Sequence, residues 1–296
     1  MGGFFGESKT AILKEIPQDY LPKTLFFDSR VTLSDIVAEM KSRGLNFPVV
    51  CKPDKGERGY KVEKINDLGD LSHYLETSFD GLIVQEFVDF PIELGVLYCR
   101  FPNSKKGRIS SVVRKQFLNV VGNGKSTIRE LLQQSLRARF QIPELERRWQ
   151  SKLNQILPLG ETWLAEPIGN HSRGTCFLNA NHLINAELES VFDRISLEID
   201  GFCYGRFDLK VSSLEELYKG NTIRVMELNG VISEPAHIYD PSMTLLKAWN
   251  SIFAHMKTLY QIAKANHKLG VAYVPLSLVI GTGFKHFASL HKEVND

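Results

Sequence analysis

Short apolar runs alternate along the chain with polar breaks marked by glycine or proline. Phe47–Lys52 is a continuous apolar run that ends in a lysine and predicts a buried strand; Tyr60–Ile65, after a glycine-containing loop, predicts a second. Gly81–Val88 and Ile92–Arg100 read as strands joined at Asp89–Pro91, and Arg108–Lys115 alternates like a half-buried strand. Phe202–Val211 and Thr222–Asn229 read as two more strands, separated by a polar loop. Helical spacing marks Gly6–Pro22 up to its proline breaks, Thr32–Gly44 with Gly44 as C-cap, Asp67–Glu76, Thr127–Phe140, Glu144–Leu157, Ala186–Ile199 and Thr244–His267. The last is amphipathic, with apolar positions at Leu245, Ala248, Trp249, Ile252, Phe253 and Met256. Repeats are absent and strands do not alternate strictly with helices, so the pattern predicts an α+β class rather than a doubly wound sheet.

Composition narrows the function. The chain has 296 residues, 43% hydrophobic and 24% charged, which is enough to bury a full core and build two or three subdomains. Net charge is +2 with both signs interspersed, and the densest basic stretch, Arg137, Arg139, Arg147 and Arg148, reads as a solvated helix face; no nucleic-acid partner is expected. Cys51, Cys99, Cys176 and Cys203 lack metal-ligand spacing and read as reduced thiols of a cytoplasmic protein. The opening MGGFFGESK has no signal-peptide pattern, and the longest apolar run, Val271–Ile280, is too short for a membrane span.

Candidate chemistry concentrates late in the chain. Alternation in Gly205–Lys210 puts Arg206, Asp208 and Lys210 on one strand face, and in Val225–Asn229 it puts Glu227 and Asn229 on one face. If these strands pair, two carboxylates and an amide oxygen meet, a set of hard ligands suited to Mg²⁺ beside an arginine that can stabilise developing negative charge. A surface hairpin turning at Asn229–Gly230 is the alternative. Lys52 closes a buried strand ahead of a loop containing Gly56 and Gly59, whose backbone can approach phosphate oxygens. Glu86, Phe87 and Val88 end a strand and can offer backbone groups to an adenine edge, and Glu93 follows as a carboxylate for ribose hydroxyls. Val120–Thr127 fails the P-loop pattern; Thr127 and Glu130 instead form a capping box. His171 and Arg173 sit in a polar, glycine-flanked loop where they can position a substrate carboxylate or acyl acceptor, or form a solvated turn.

In this order the motifs resemble the ATP-grasp superfamily, nearest to its D-alanine–D-alanine ligase and cyanophycin-synthetase-like branches, from about Lys9 to Pro235. The resemblance implies two α+β lobes with Mg-ATP between them, at residues 1–91 and 92–296, the second carrying a helical insertion at about 126–160. It implies Lys52 and Lys9 (with Lys14 as a rival) as ATP lysines, Glu86–Val88 as adenine hinge and Glu93 as ribose carboxylate. It further implies Asp208, Glu227 and Asn229 as magnesium ligands and Arg206 as catalytic arginine. Lys115, or Arg114 beside it, is the candidate γ-phosphate contact. The implied reaction joins a small-molecule carboxylate to an amine through an acyl-phosphate, with ADP released; a small-metabolite kinase or a non-catalytic nucleotide-binding module are the alternatives. Most of the family's usual N-terminal domain has no counterpart ahead of Lys9, so a longer natural chain, a shortened start, or a homo-oligomer or partner completing the substrate site is expected.

Overall fold

The computed structural model describes residues 7–56, 59–77, 79–135 and 137–283. In chain order its elements are α1 (Lys9–Glu15), β1 (Thr24–Phe27), α2 (Leu33–Ser42), β2 (Val49–Pro53), β3 (Glu63–Ile65), α3 (Leu68–Tyr74), β4 (Leu82–Glu86), β5 (Ile92–Cys99), β6 (Arg108–Gln116) and β7 (Leu118–Val121). There follow α4 (Ile128–Gln134), α5 (Ile142–Leu153), β8 (Thr162–Glu166), β9 (Cys176–Asn179), α6 (Ala186–Leu197), β10 (Tyr204–Val211), α7 (Leu214–Lys219), β11 (Arg224–Asn229) and α8 (Leu245–Lys268). Side-chain caps set several helix starts. Thr32 and Asp35 form a capping box on α2, and Thr127 and Glu130 form the expected one on α4, each satisfying orphan backbone donors.

The chain divides into two compact units that interleave along the sequence, where the family resemblance implies a single break after residue 91. One unit comprises Thr24–Phe87 and Arg114–Leu178; the other comprises Met1–Lys23, Val88–Val113 and Asn179–Asp296. Residues 114–178, expected in the C-terminal lobe, therefore group with the N-terminal sheet.

In the first unit, an antiparallel sheet of order β1-β4-β2-β3 buries one face against α2 and α3. Leu25, Val49, Cys51, Ile65, Leu82 and Val84 meet Ile36, Met40, Leu71 and Tyr74 there. The same unit carries a second core, in which the two-stranded antiparallel sheet β7–β8 packs its Leu118, Val120 and Ala165 on Ile128, Leu132, Leu145 and Leu153 of α4 and α5, the helices that connect the two strands. Short strands without a long apolar run, such as Thr162–Glu166, escaped the sequence pattern because pairing with a strand about forty residues earlier, not local composition, makes them strands.

The second unit is built on a sheet of order β11-β10-β5-β6-β9, with the boundary between units running through β6 and β9. The pairs β10–β5 and β10–β11 are antiparallel, consistent with the α+β expectation. On one face Phe207 packs edge-on against Phe192 of α6 at 5.3 Å and against Phe202 at 5.3 Å, while Tyr98 donates to Asp193 Oδ1 at 2.7 Å. On the other face, α8 covers one end through Ile262 and Leu259 against Leu97, Cys99 and Tyr204. The helix does not bury the stripe its sequence suggests. Thr258 and Ile262 are its buried positions, and Leu245, Trp249, Phe253 and Met256 are exposed.

Candidate functional site: a polar row on the β5–β10–β11 sheet

Strand register decides which side chains meet in the second unit. Asp208 lies directly opposite Glu227, and Arg206 opposite Asn229. On the other side of β10, Asp208 faces Gly95 and Lys210 faces Glu93. Residues opposed in an antiparallel pair project to the same side of the sheet. Glu93, Lys210, Asp208, Arg206, Glu227 and Asn229 therefore share the face that α8 covers only at its far end. The β10–β11 register shifts between Asp208 and Leu209, so a bulge with Met226 as the extra residue sits beside the carboxylate pair.

The contacts along this row alternate in sign. Arg206 Nε donates to Asp208 Oδ1 at 3.0 Å, and its Nη1 to the Glu234 carbonyl at 3.4 Å. Burial works against the Arg206 charge, but Asp208, Glu227 and Glu234 outweigh it and hold the guanidinium above the usual arginine range. Next along the strand, Lys210 Nζ donates to the Val88 carbonyl at 2.9 Å and stands 3.9 Å from Glu93 Oε2, with both side chains buried. Val88, expected in the adenine hinge, thus presents its carbonyl to Lys210.

Glycine at position 95 makes room for the row. A Cβ there would lie 2.9 Å from Val113 Cγ1, 3.1 Å from Asp208 Oδ1 and 3.4 Å from Arg206 Cδ. The composition of the site fits a hard divalent cation: two carboxylates and an amide, all oxygen donors, fixed on paired strands. No group of three or more His, Cys, Asp or Glu side chains arranged to hold a metal occurs among the described residues. The set therefore depends on Asn229 as its third oxygen.

Of the remaining expected residues, Lys9 opens α1, capped by Ser8, in this same unit. The others belong to the first unit. Lys52 is buried on the sheet face opposite α2 and α3 and donates to Gln85 Oε1 at 3.0 Å; Gln85 in turn donates to Thr24 Oγ1 at 2.9 Å, which fixes the lysine across three strands. At the end of β4, Glu86 is half-buried, and the Phe87 N–H donates to the Pro48 carbonyl at 3.4 Å while Lys64 Nζ sits 4.0 Å from its ring centroid. Gly56 and Gly59 both have positive φ, 142° and 75°, in the loop after β2, whose residues 57–58 lie outside the described residues.

Arg173 has a different task from the one the sequence suggests. Its Nη1 donates to the Val62 carbonyl at 2.9 Å and its Nη2 to the Gly59 carbonyl at 2.7 Å, with buried Glu166 3.7 Å from Nη1. Both terminal nitrogens clamp the glycine loop, so a bidentate grip on a substrate carboxylate would require breaking that clamp. Arg148 completes the cluster, donating to Glu166 Oε2 at 2.8 Å. Sequence reasoning missed this anchor because Glu166 and Arg148 are separated from the loop by about a hundred residues. His171 Nδ1 lies 2.9 Å from Arg137 Nη2, and its ring meets Phe177 edge-on at 5.2 Å. Burial first, then Arg137, holds its pKa below the usual histidine value. Lys115 is buried with its ammonium 5.8 Å from the Phe177 ring.

No family model and no curated protein matches the sequence. Solved structures do. The chain is similar to D-alanine–D-alanine ligase from Bacillus anthracis (TM-score 0.46, 15% identity, covering 88% of this chain and 67% of that one). It is similar to a bifunctional glutathione synthetase from Pasteurella multocida (TM-score 0.42, 16% identity, 86% and 35%) and to D-alanine–D-alanine ligase from Helicobacter pylori (0.45, 11%, 86% and 60%). This chain spans between a third and two thirds of their lengths. At such scores the likeness assigns neither reaction nor substrate; the residues themselves have to.

Proposed function

We propose that the chain is an ATP-dependent, ADP-forming carboxylate–amine ligase. The observation that carries this reading is the register that sets Asp208 opposite Glu227 and Arg206 opposite Asn229 on one sheet face, with Gly95 leaving space beside them. Asp208, Glu227 and Asn229 would hold Mg²⁺, which supplies a Lewis acid against phosphate charge. A carboxylate oxygen of the substrate takes the γ-phosphoryl group and ADP leaves; the amine nitrogen then attacks the acyl carbon and phosphate leaves. Arg206, held in its charged form by the surrounding carboxylates, would stabilise the oxyanion of that second step. Glu93 would accept hydrogen bonds from ribose hydroxyls, with Lys210 beside it holding its orientation. In the first unit, Lys52 would meet nucleotide phosphate as a point charge, and Gly56 and Gly59 would let backbone N–H groups approach it, with Arg173 keeping that loop in shape. No Ser, Cys or His nucleophile is needed, because the acyl-phosphate is itself the activated species.

A coupled ADP-release screen over amino acids and small carboxylic acids, each with and without an added amine, tests the proposal. Release that requires Mg²⁺, a carboxylate and an amine together supports it. Release with an acceptor but indifferent to amines would replace the ligase with a kinase, and failure to bind Mg-ATP would remove the nucleotide reading altogether.

A further inference from the structure

Helix α8 has two apolar stripes, and the fold uses one of them. The used stripe centres on Thr258 and Ile262. The other consists of Leu246, Trp249, Phe253, Met256 and Tyr260, spaced by three and four residues along a 24-residue helix. At 100° per residue this second stripe lies about 180° around the helix from the buried one, and it runs for roughly 20 Å. Leu246 is 78% exposed, Phe253 and Met256 60%, Tyr260 66% and Trp249 50%. The Trp249 and Phe253 rings stack at 5.8 Å, so the stripe is organised before anything covers it. Beyond the helix, exposed apolar side chains continue at Leu269, Val271, Tyr273, Val274, Leu276 and Leu278.

Charge says what covers it. From Thr244 to Lys292 the sequence contains no Asp or Glu, although the whole chain carries 34 acidic residues against 36 basic ones. In α8 the charged residues are Lys247, Lys257, Lys264 and Lys268, and on the helical wheel Lys257, Lys264 and Lys268 border the exposed stripe. Packing this helix on a second copy of itself would bring lysines together with no carboxylate to pair them, which like-charge repulsion disfavours. An anionic surface has the complementary charge. A broad apolar stripe with Trp and Tyr, flanked by lysines and free of acids, is the composition of a helix that lies in a membrane interface, its rings at the acyl boundary and its ammoniums reaching lipid phosphates. No described helix is long and apolar enough to cross a membrane, so contact through α8 would be peripheral.

We propose that the outer face of α8 docks the protein on an anionic lipid bilayer. The occupant is a phospholipid surface of net negative charge, engaged by Leu246, Trp249, Phe253, Met256 and Tyr260 and held by Lys257 and Lys264. This inference is independent of the ligase reading, since none of these residues belongs to the proposed site.

Co-sedimentation of the full chain with vesicles tests it, comparing phosphatidylcholine alone with phosphatidylcholine containing phosphatidylglycerol. The chain should pellet with the anionic vesicles and remain in solution with the neutral ones. Reversing Lys257 and Lys264 together to Glu should weaken binding thirtyfold or more, on the order expected for losing two surface lysines near an anionic leaflet. Phe253→Glu should abolish it, and Gln261→Ala, on the polar side, should leave it unchanged. Because all these positions are exposed, thermal melting should show the variants folded. Equal binding to both vesicle types, or none to either, would overturn the proposal. So would light scattering that shows a dimer which Phe253→Glu splits, because a second copy would then own the stripe.

Discussion

Replacing Gly95 by alanine adds one methyl group beside Asp208, at the edge of the proposed cation site, without replacing a charged residue. Gly95 sits within β5 at an ordinary negative φ, so the backbone accepts alanine and gains roughly 0.5–1 kcal/mol of strand order. Against that, the new Cβ would stand 2.9 Å from Val113 Cγ1 and 3.1 Å from Asp208 Oδ1, closer than side-chain carbons normally approach. Overpacking of this kind costs about 1–3 kcal/mol, so the net loss should be at most about 2.5 kcal/mol, or a few degrees in melting temperature for a chain of this size. Val113 is fixed in the sheet, whereas Asp208 and Arg206 carry the more adjustable side chains; they will give way first and leave the oxygen set misaligned. Affinity for Mg-ATP, read by calorimetry or as the Mg-ATP-dependent rise in melting temperature, should fall tenfold or more while the protein stays folded. A variant that melts normally and binds Mg-ATP as tightly as the parent would refute the reasoning, because the space beside Gly95 would then have nothing to do with how Asp208 is presented.

Lys52→Ala should erase the rise in melting temperature caused by Mg-ATP, whereas Cys99→Ser, also buried but aimed at the α8 end of the other sheet, should lower the baseline and retain the rise. Arg173→Lys keeps the charge but loses the two-pronged grip on Gly59 and Val62, so the loop after β2 should become more susceptible to proteolysis, without a collapse in melting temperature. His171, His237 and His255 are all held below the histidine value of 6.5, mainly by burial. Their unfolded imidazoles take up protons that the native ones refuse, so stability should be flat above about pH 7 and decline as pH falls through 6.5. Denaturant melts at pH 7 and pH 5 should show that loss, reduced when His237 and His255 are both replaced by Gln.

Period-two alternation was enough to place Asp208, Arg206 and Lys210 on one face and Glu227 with Asn229 on another, because a strand side chain's face depends only on its own position. What joined the two faces was register, fixed by hydrogen bonding between β10 and β11 and by a bulge at Met226 that no local pattern announces. The capping box at Thr127 was likewise legible, since it needs only residues three apart. Interactions between distant segments were not. The clamp of Arg173 on the Gly59 loop, the Lys210–Glu93 pair and the assignment of 114–178 to the N-terminal sheet depend on tertiary contacts alone. Helix α8 shows the opposite failure. Its hydrophobic spacing marks an amphipathic helix with one apolar stripe, yet two are present, and the sheet selects the one containing Ile262.

The central claim is that the Asp208–Glu227–Asn229 face holds the cation for phosphoryl transfer, and Glu227→Gln tests it most directly. The substitution keeps the size of the side chain and removes one charge from a half-buried position opposite Asp208. ADP release and thermal melting are measured on the same preparation, at saturating ATP and Mg²⁺. The account predicts a folded protein whose ADP release falls about a hundredfold or more, the several kcal/mol that a ligand acting on the transferring phosphoryl group contributes. Near-normal turnover by Glu227→Gln would contradict it.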